Sequence, residues 1–274
     1  MKLHVEIEGP DDTTPVVFLH GVTSSGKTWE WLPEEVKRGR RIVRLDFRGH
    51  GRSPHTPGHY KLADYGGDVV EVLRRLEMPA VLVGHSLGGV VAWWIAQNHP
   101  ELVAAAFLED PPLLAAEAAP EDVARFRELF KLMRGNVLNA RAAGLSDQQL
   151  AARMGAVPSS TRAPATFREI SMDDAVDAIA FSHNRLDVGV LDGAIAGSTL
   201  ANTDVKSPVT PPILILAADD ALGAAFPAKA EKRLAETHPE VKVIRVSGAG
   251  HGIHDERRHR ETFVRHLNQF LTCL

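Results

Sequence analysis

The chain has little of several features that would place it in a specialised class of proteins. It has one cysteine among 274 residues, Cys273, so it has no partner for an intrachain disulfide, and we expect a reducing, cytoplasmic location. Its formal net charge is −4 and its pI is near 6.4, so it lacks the basic surface typical of nucleic-acid binding. It also lacks an apolar run long enough to cross a bilayer, so we expect no membrane partner.

What the chain does have is an alternation of short apolar runs and helical patterns. At the start, apolar Leu3, Val5 and Ile7 alternate with polar residues, which predicts an antiparallel strand instead of a signal peptide. The pattern that follows predicts an α/β protein with a mostly parallel central sheet and helices on both faces. The predicted strands are 16–19, 42–47, 80–83, 102–108, 213–217 and 241–246, and the predicted helices are 62–76, 87–97 and 257–274.

One long segment, residues 111–200, interrupts this alternation. Connections in compact domains are usually a few residues long, and longer ones tend to carry function. Its pattern is helical, with an apolar face at Val123, Phe126, Phe130 and Met133 and a capping box from Ser146 to Gln149. We therefore predict a core made of residues 1–110 and 201–274 with a helical lid (cap) inserted at 111–200. The alternative is a set of packing helices without a role in binding.

A G-x-S-x-G motif at residues 84–88 separates a predicted strand from a predicted helix. At such a turn the glycines let the serine adopt a strained conformation that exposes its Oγ. We therefore predict that Ser86 is a nucleophile; the alternative is a solvent-facing serine in a glycine-rich turn.

A serine nucleophile needs a neighbouring base. Among 13 histidines we favour His251, because it lies in a glycine-rich loop after the last strand, where ligands gather in open sheets, whereas we expect His254 and His259 on the surface.

Taken in order, these features resemble the α/β-hydrolase superfamily over essentially the full chain. The resemblance rests on His20-Gly21 after the first long strand, on "DFRGHGRS" at 46–53, on the motif at 84–88 and on Gly250-His251-Gly252. It implies the α/β-hydrolase fold and the chain order serine, acid, histidine. It also implies an oxyanion hole formed by the backbone N–H groups of Val22 and Leu87.

The resemblance leaves the acid of the triad open. In most members the acid follows the strand after the insertion, which maps to Asp219 or Asp220. Some members, including the zearalenone lactonases, take it from the end of the strand before the insertion, which maps to Asp110. We favour Asp110, because Pro111-Pro112 stiffens the chain after it and because a buried acidic residue needs a partner.

Serine at the nucleophile position implies acyl transfer, since epoxide hydrolases and haloalkane dehalogenases of this superfamily have aspartate there. Together with the apolar composition of the insertion, this predicts a serine hydrolase of the carboxylesterase or lactonase type. It would cleave an ester or lactone of an apolar small molecule through an acyl-enzyme on Ser86. We expect no cofactor and no metal ion.

Two other functions are open at this point. Residues 21–28 match the phosphate-binding pattern G-x-x-x-x-G-K-[ST], which predicts a nucleotide-binding enzyme with Asp46 near a magnesium ion. Against it, Pro33 interrupts the helix that such a loop requires, and Ser86 and His251 stay unexplained. The other alternative is a non-catalytic ligand-binding protein with a hydrolase fold, which inactivity toward activated esters would favour.

Overall fold

The computed structural model describes the backbone of residues 1–274 and every side chain but that of Ala116. Its strands are β1 (Val5–Glu8), β2 (Pro15–Leu19), β3 (Arg41–Leu45), β4 (Ala80–His85), β5 (Val103–Glu109), β6 (Ile213–Ala217) and β7 (Lys242–Arg245). In this part of the chain they form one seven-stranded sheet in the order β1-β3-β2-β4-β5-β6-β7. β1 runs antiparallel to β3, and the other neighbours are parallel. The predicted α/β class and the antiparallel first strand are confirmed.

The helices, given with their bounds, are α1 (Glu34–Lys37), α2 (Leu62–Arg75), α3 (Leu87–Asn98), α4 (Pro120–Ala142), α5 (Asp147–Gly155), α6 (Phe167–Ile170), α7 (Asp173–Arg185), α8 (Val188–Ala196), α9 (Ala228–Ala235) and α10 (Arg260–Thr272). Within the described residues, none of these helices is long and apolar enough to cross a membrane. Gly66 lies inside α2 because a Cβ there would come within 2.3 Å of the Trp94 ring on α3. The glycine thus serves the close packing of these two helices.

The core lies on both faces of the sheet, because neighbouring side chains of a strand point to opposite faces. Within β4, Leu82 belongs to one apolar cluster, whereas Val81 and Val83 belong to the cluster on the other face. All three side chains are almost fully buried. This two-sided burial explains why the central strands are continuous apolar runs in the sequence.

The predicted insertion contains α4 to α8, which lie between the end of β5 and the start of β6. The predicted capping box is confirmed, since Ser146 and Gln149 each accept a backbone N–H of the other. Only part of the predicted apolar face of α4 is buried. Phe130 and Met133 pack against the main core, whereas Val123 is exposed. The boundaries and the lid role of this segment stay predictions.

Candidate active site

Ser86 lies in a strained turn between β4 and α3, with φ 53° and ψ −115°. Its glycine neighbours are required by close backbone approaches. A Cβ on Gly84 would lie 2.4 Å from the Gly88 carbonyl oxygen, and one on Gly88 would lie 2.2 Å from the Leu19 carbonyl oxygen. Only glycine fits at these two positions, so the sequence motif follows directly from the geometry of the turn.

The two predicted oxyanion donors lie in different turns: Val22 follows β2, and Leu87 begins α3. Within the described part of the chain, the N–H groups of Val22 and Leu87 donate to no backbone or side-chain acceptor. Two buried histidines form hydrogen bonds with the carbonyl groups of Gly21 and Val22. The His20 Nδ1–H donates to the Gly21 oxygen at 2.8 Å, and His50 Nε2 lies 2.8 Å from the Val22 oxygen. Because the Gly21 carbonyl is held in this way, the Val22 N–H of the same peptide group has a fixed direction, whereas the Leu87 N–H is oriented by the start of α3.

His20 completes this support in its neutral form. Its Nε2 accepts the backbone N–H of Phe47 at 3.0 Å, so the proton of the neutral ring lies on Nδ1. Burial lowers the pKa of His20 well below its ordinary value, and the nearby His50 lowers it further. The two histidines come from the "HG" and "DFRGHGRS" segments, which accounts for both parts of the resemblance.

Asp110 and His251 form a short hydrogen bond. The His251 Nδ1–H donates to Asp110 Oδ2 at 2.7 Å, and the Asp110 side chain is fully buried. The Asp110 backbone has φ 42°, which turns the side chain away from the line of β5. Its carboxylate also accepts the backbone N–H groups of Ala218 (3.2 Å), Ala225 (2.7 Å) and Phe226 (3.1 Å). The buried charge is therefore fully hydrogen-bonded.

Both partners of this pair favour the ionised state. Burial acts to raise the pKa of the Asp110 carboxyl, but the bond to His251 and the backbone N–H groups outweigh it and hold that pKa below its ordinary value. Burial likewise acts to lower the pKa of His251, but the bond to Asp110 outweighs it and raises that pKa above 6.5. The Asp110 carboxylate thus stabilises the imidazolium that forms when the ring takes a proton.

The two alternative acids lie elsewhere. Asp219 accepts the N–H groups of Ala221 at 3.0 Å and Gly248 at 2.7 Å, and Asp220 forms an ion pair with Arg245 at 2.8 Å. Among the described residues, neither carboxylate bonds to His251. The geometry thus joins His251 to the acid that the sequence favoured.

Ser86 Oγ and His251 Nε2 are each without a hydrogen-bond partner among the described residues. Ser86 is 8% exposed, and its N–H donates to the Glu109 carbonyl at 2.9 Å. Bonds between a nucleophile and its base are often long in a free enzyme and tighten when substrate binds. Both atoms are therefore available for a proton transfer.

Two groups that a phosphate loop would use, the Gly26 N–H and the Lys27 side chain, already have partners within the chain. The Gly26 N–H donates to Asp46 Oδ1 at 2.7 Å, and Lys27 Nζ forms an ion pair with Glu30 at 2.9 Å. A single 3-10 turn follows at Gly26–Trp29, and α1 starts only after Pro33, as the proline predicts. A phosphate cradle needs a helix N-terminus with free N–H groups, so this geometry argues against the nucleotide-binding alternative.

The prediction of a surface position for His254 is wrong. This residue is fully buried in a 3-10 turn, Ile253–Asp255, and the last helix begins at Arg260 and not at 257. His254 Nδ1 lies 2.6 Å from Glu109 Oε2, and its backbone N–H donates to Glu109 Oε1 at 2.9 Å. The sequence signal was a pair of adjacent acids after one strand and two histidines three residues apart after another.

Comparison with known proteins identifies the family of the chain. Residues 14–258 match the model of the alpha/beta hydrolase fold family. The chain belongs to the alpha/beta hydrolase fold family. This α/β-hydrolase is 26% identical over 257 residues to an sn-1-specific diacylglycerol lipase of Xenopus laevis, covering 89% of this chain and 76% of that lipase. It is 35% identical over 133 residues to a lipase of Mycobacterium tuberculosis, covering 48% of each chain.

A solved structure agrees at the level of the fold. The enol-lactonase from Burkholderia xenovorans superimposes on this α/β-hydrolase with a TM-score of 0.72 at 19% identity, covering 98% of this chain and 96% of that one. Identity this low shows a shared fold alone. Several other curated relatives are matched over only 31% to 53% of their own length. The comparisons therefore support a hydrolase. The substrates in the relatives' names are properties of those relatives.

Proposed function

We propose that this α/β-hydrolase is a serine carboxylesterase or lactonase that cleaves an ester or lactone of an apolar small molecule through an acyl-enzyme on Ser86. The observation that carries the proposal is the 2.7 Å bond between Asp110 and His251 at the sheet edge where Ser86 occupies its strained turn. A nucleophile, a base and a residue that orients the base are the three parts that this chemistry needs.

In the proposed first step, His251 Nε2 takes the proton of Ser86 Oγ as the oxygen attacks the substrate carbonyl. The oxyanion of the tetrahedral intermediate accepts the N–H groups of Val22 and Leu87. Asp110 stabilises the imidazolium and keeps the ring's other proton on Nδ1. The imidazolium then protonates the leaving alcohol, and the acyl group stays on Ser86.

In the second step, His251 removes a proton from a water molecule that attacks the acyl-enzyme. The same two N–H groups bind the second oxyanion, and the proton returns to Ser86 Oγ when the carboxylic acid leaves. For a lactone, the leaving alcohol and the acid belong to one product. Each proton thus has a donor and an acceptor within the site.

The proposed lid is supported by its contacts with this edge of the sheet. Ser182 on α7 bonds to Ser25 beside the oxyanion turn at 2.8 Å. The Asp187 N–H, just before α8, donates to the Gly49 carbonyl in the "DFRGHGRS" segment at 2.7 Å. The insertion therefore borders the proposed site. Its apolar residues support an apolar acyl or ring substrate.

The test is hydrolysis of a panel of p-nitrophenyl esters of varied chain length, together with lactones of varied ring size. We expect the wild-type protein to be active, and Ser86→Ala to lose about 10³-fold or more in kcat while it stays folded. A matched control is Ser207→Ala, which changes an exposed serine before the start of β6, at the opposite edge of the sheet.

Two outcomes would contradict the proposal. An unchanged rate in folded Ser86→Ala would remove the serine mechanism. A wild-type protein that hydrolyses no member of the panel, yet binds the esters without turnover, would favour the non-catalytic ligand-binding alternative.

A further inference from the structure

A second acid–histidine pair lies directly beside the first. Glu109 and Asp110 are adjacent at the end of β5, and their partners His254 and His251 are three residues apart in one loop. The two carboxylate–imidazole distances are 2.6 Å for Glu109–His254 and 2.7 Å for Asp110–His251. The mechanism proposed above uses only one of these pairs.

The second pair is sealed from solvent. Glu109 and His254 are both fully buried. The His254 ring stacks on Trp29 with ring centres 4.2 Å apart, and its Nε2 lies 3.2 Å from Thr28 Oγ1 and 3.3 Å from Asp255 Oδ1. A substrate has no access to this ring, so the pair serves another purpose than acyl transfer.

The Glu109 carboxylate binds the His251 loop at two points. One oxygen accepts the backbone N–H of His254 at 2.9 Å, and the other binds the His254 ring. Arg260 holds the peptide group that follows His254, since its Nε–H donates to the His254 carbonyl at 2.8 Å. The peptide groups on both sides of His254 are thus fixed by charged side chains. Such charge-assisted bonds are stronger than neutral ones.

His85 links the second pair to His251. In the sheet His85 lies beside Glu109, and its Nε2–H donates to the His251 carbonyl at 3.1 Å. Its ring centre is 4.7 Å from that of His251 and 5.0 Å from that of His254. The loop is therefore held at the His251 carbonyl by β4 and at His254 by β5.

We propose that Glu109 and His254 are positioning residues, which fix the loop so that the His251 ring lies between Asp110 and Ser86. This inference rests on the proposed function. His251 itself lies in a loop, and 39% of its side chain is exposed. Its ring makes one hydrogen bond among the described residues, to Asp110. A displacement of about 1 Å at a catalytic group can cost about 10²-fold in rate, so a rigid loop has a direct effect on kcat.

The second pair also affects the charge around His251. The titratable groups that face its ring are Asp110 and Glu109 from β5, His85 from β4 and His254 from its own loop. Glu109 acts to raise the pKa of His251, whereas His254 acts to lower it. Removal of the Glu109 charge should thus move the His251 titration to lower pH, whereas loosened packing that leaves the His251–Asp110 bond intact would not.

The test is Glu109→Gln, which keeps the shape and removes the charge. We expect kcat to fall about 10- to 100-fold with KM within about twofold, and the acid limb of the pH–rate profile to move to lower pH. The matched control is Glu240→Gln, which removes the charge from another glutamate–histidine contact, 3.2 Å to His238, before β7 at the opposite edge of the sheet. This control should change neither kcat nor the profile.

A folded Glu109→Gln protein with wild-type kcat and an unmoved acid limb would overturn the inference. If this variant does not fold, Thr28→Val decides instead, because it removes the hydroxyl group at His254 Nε2 and keeps both charges. We then expect a three- to tenfold lower kcat, roughly the loss of one neutral hydrogen bond, with unchanged KM. A kcat within about twofold of wild type would contradict the inference.

Failure of the proposed function gives a different result. If Ser86→Ala retains activity, or if a fluorophosphonate ester does not label Ser86 in the wild-type protein, the serine mechanism itself is wrong. If labelling is complete in wild type and equally fast in Glu109→Gln, the serine mechanism stands and only the positioning role is lost.

Discussion

The ends of β5 and β6 make an instructive comparison, because each is followed by acidic residues at the same edge of the sheet. At the end of β5, Glu109 and Asp110 are fully buried, and both contact histidines. After β6, Asp219 is partly exposed and Asp220 is exposed, and they bond to backbone N–H groups and to Arg245. The two pairs of adjacent acidic residues thus differ in burial and in their hydrogen-bond partners.

The loop after β6 provides hydrogen-bond donors for Asp110, which we propose as the acid of the triad. Ala218, Ala225 and Phe226 all belong to that loop, and each donates its backbone N–H to Asp110. These donors stabilise the buried negative charge and leave one bond of the carboxylate for His251. The two strand ends are therefore one unit, with the acid on one strand and its hydrogen-bond donors on the next.

The largest expected effect comes from Asp110→Asn, which breaks this unit. The amide keeps the shape but neither stabilises the imidazolium nor fixes the His251 tautomer. We expect kcat to fall by up to ~10⁴-fold. The measurement is steady-state hydrolysis of the best ester of the panel, with circular dichroism to confirm folding. A nearly wild-type rate would return the acid role to Asp219 or Asp220.

The pH dependence of kcat/KM separates the effect of Asp110 from that of Asp219. His251 acts as a base only when it is neutral, and Asp110 raises its pKa above 6.5. The rate should therefore rise with pH and level off only above that value. In the residual activity of Asp110→Asn the midpoint should move down, and in Asp219→Asn it should not move. A profile that is flat from about pH 5 to 8 would count against a histidine base.

Asp219→Asn and Asp220→Asn should have a much smaller effect, about tenfold at most, because these residues shape the loop that donates to Asp110. Their kcat values should be compared with that of Asp110→Asn under the same conditions. The comparison of the two strand ends breaks down if either variant is as inactive as Asp110→Asn while still folded.

The smallest effect is expected for Lys27→Ala. Lys27 forms a surface ion pair with Glu30, and such pairs contribute little. Hydrolysis should stay within a few-fold of wild type. Binding of magnesium and ATP can be measured by calorimetry in both proteins. Tight binding by wild type that is lost in Lys27→Ala would restore the nucleotide-binding alternative.

Much of this architecture could be predicted from the sequence, since burial on both faces leaves continuous apolar runs. The strand at 213–217 was predicted with its observed bounds, and the strain at Ser86 follows from the glycines around it. The acid of the proposed triad is harder to predict, because the ends of β5 and β6 both lie near His251. A residue pattern does not encode the φ of 42° that turns Asp110 toward His251.

His254 shows a second limit of sequence reasoning. A polar residue near the start of an amphipathic helix is usually exposed, so its pattern favoured the surface. Its burial depends on Glu109, which lies 145 positions earlier in the chain. A charge becomes tolerable inside a protein only when its partner is present, and that partner is visible only in three dimensions.

The backbone pairing between the insertion and the His251 loop has a consequence for protein engineering. Ser171 forms a bridge with Glu256, the Met172 N–H donates to the Asp255 carbonyl at 2.8 Å, and the Arg257 N–H donates to the Ile170 carbonyl at 2.9 Å. A chimera that exchanges only residues 111–200 with a relative would replace one side of this pairing and keep the other. Side chains pair across the same boundary, Arg162 with Glu256 and Asp174 with Arg260, so a matched exchange includes residues 253–260 to keep these ion pairs together.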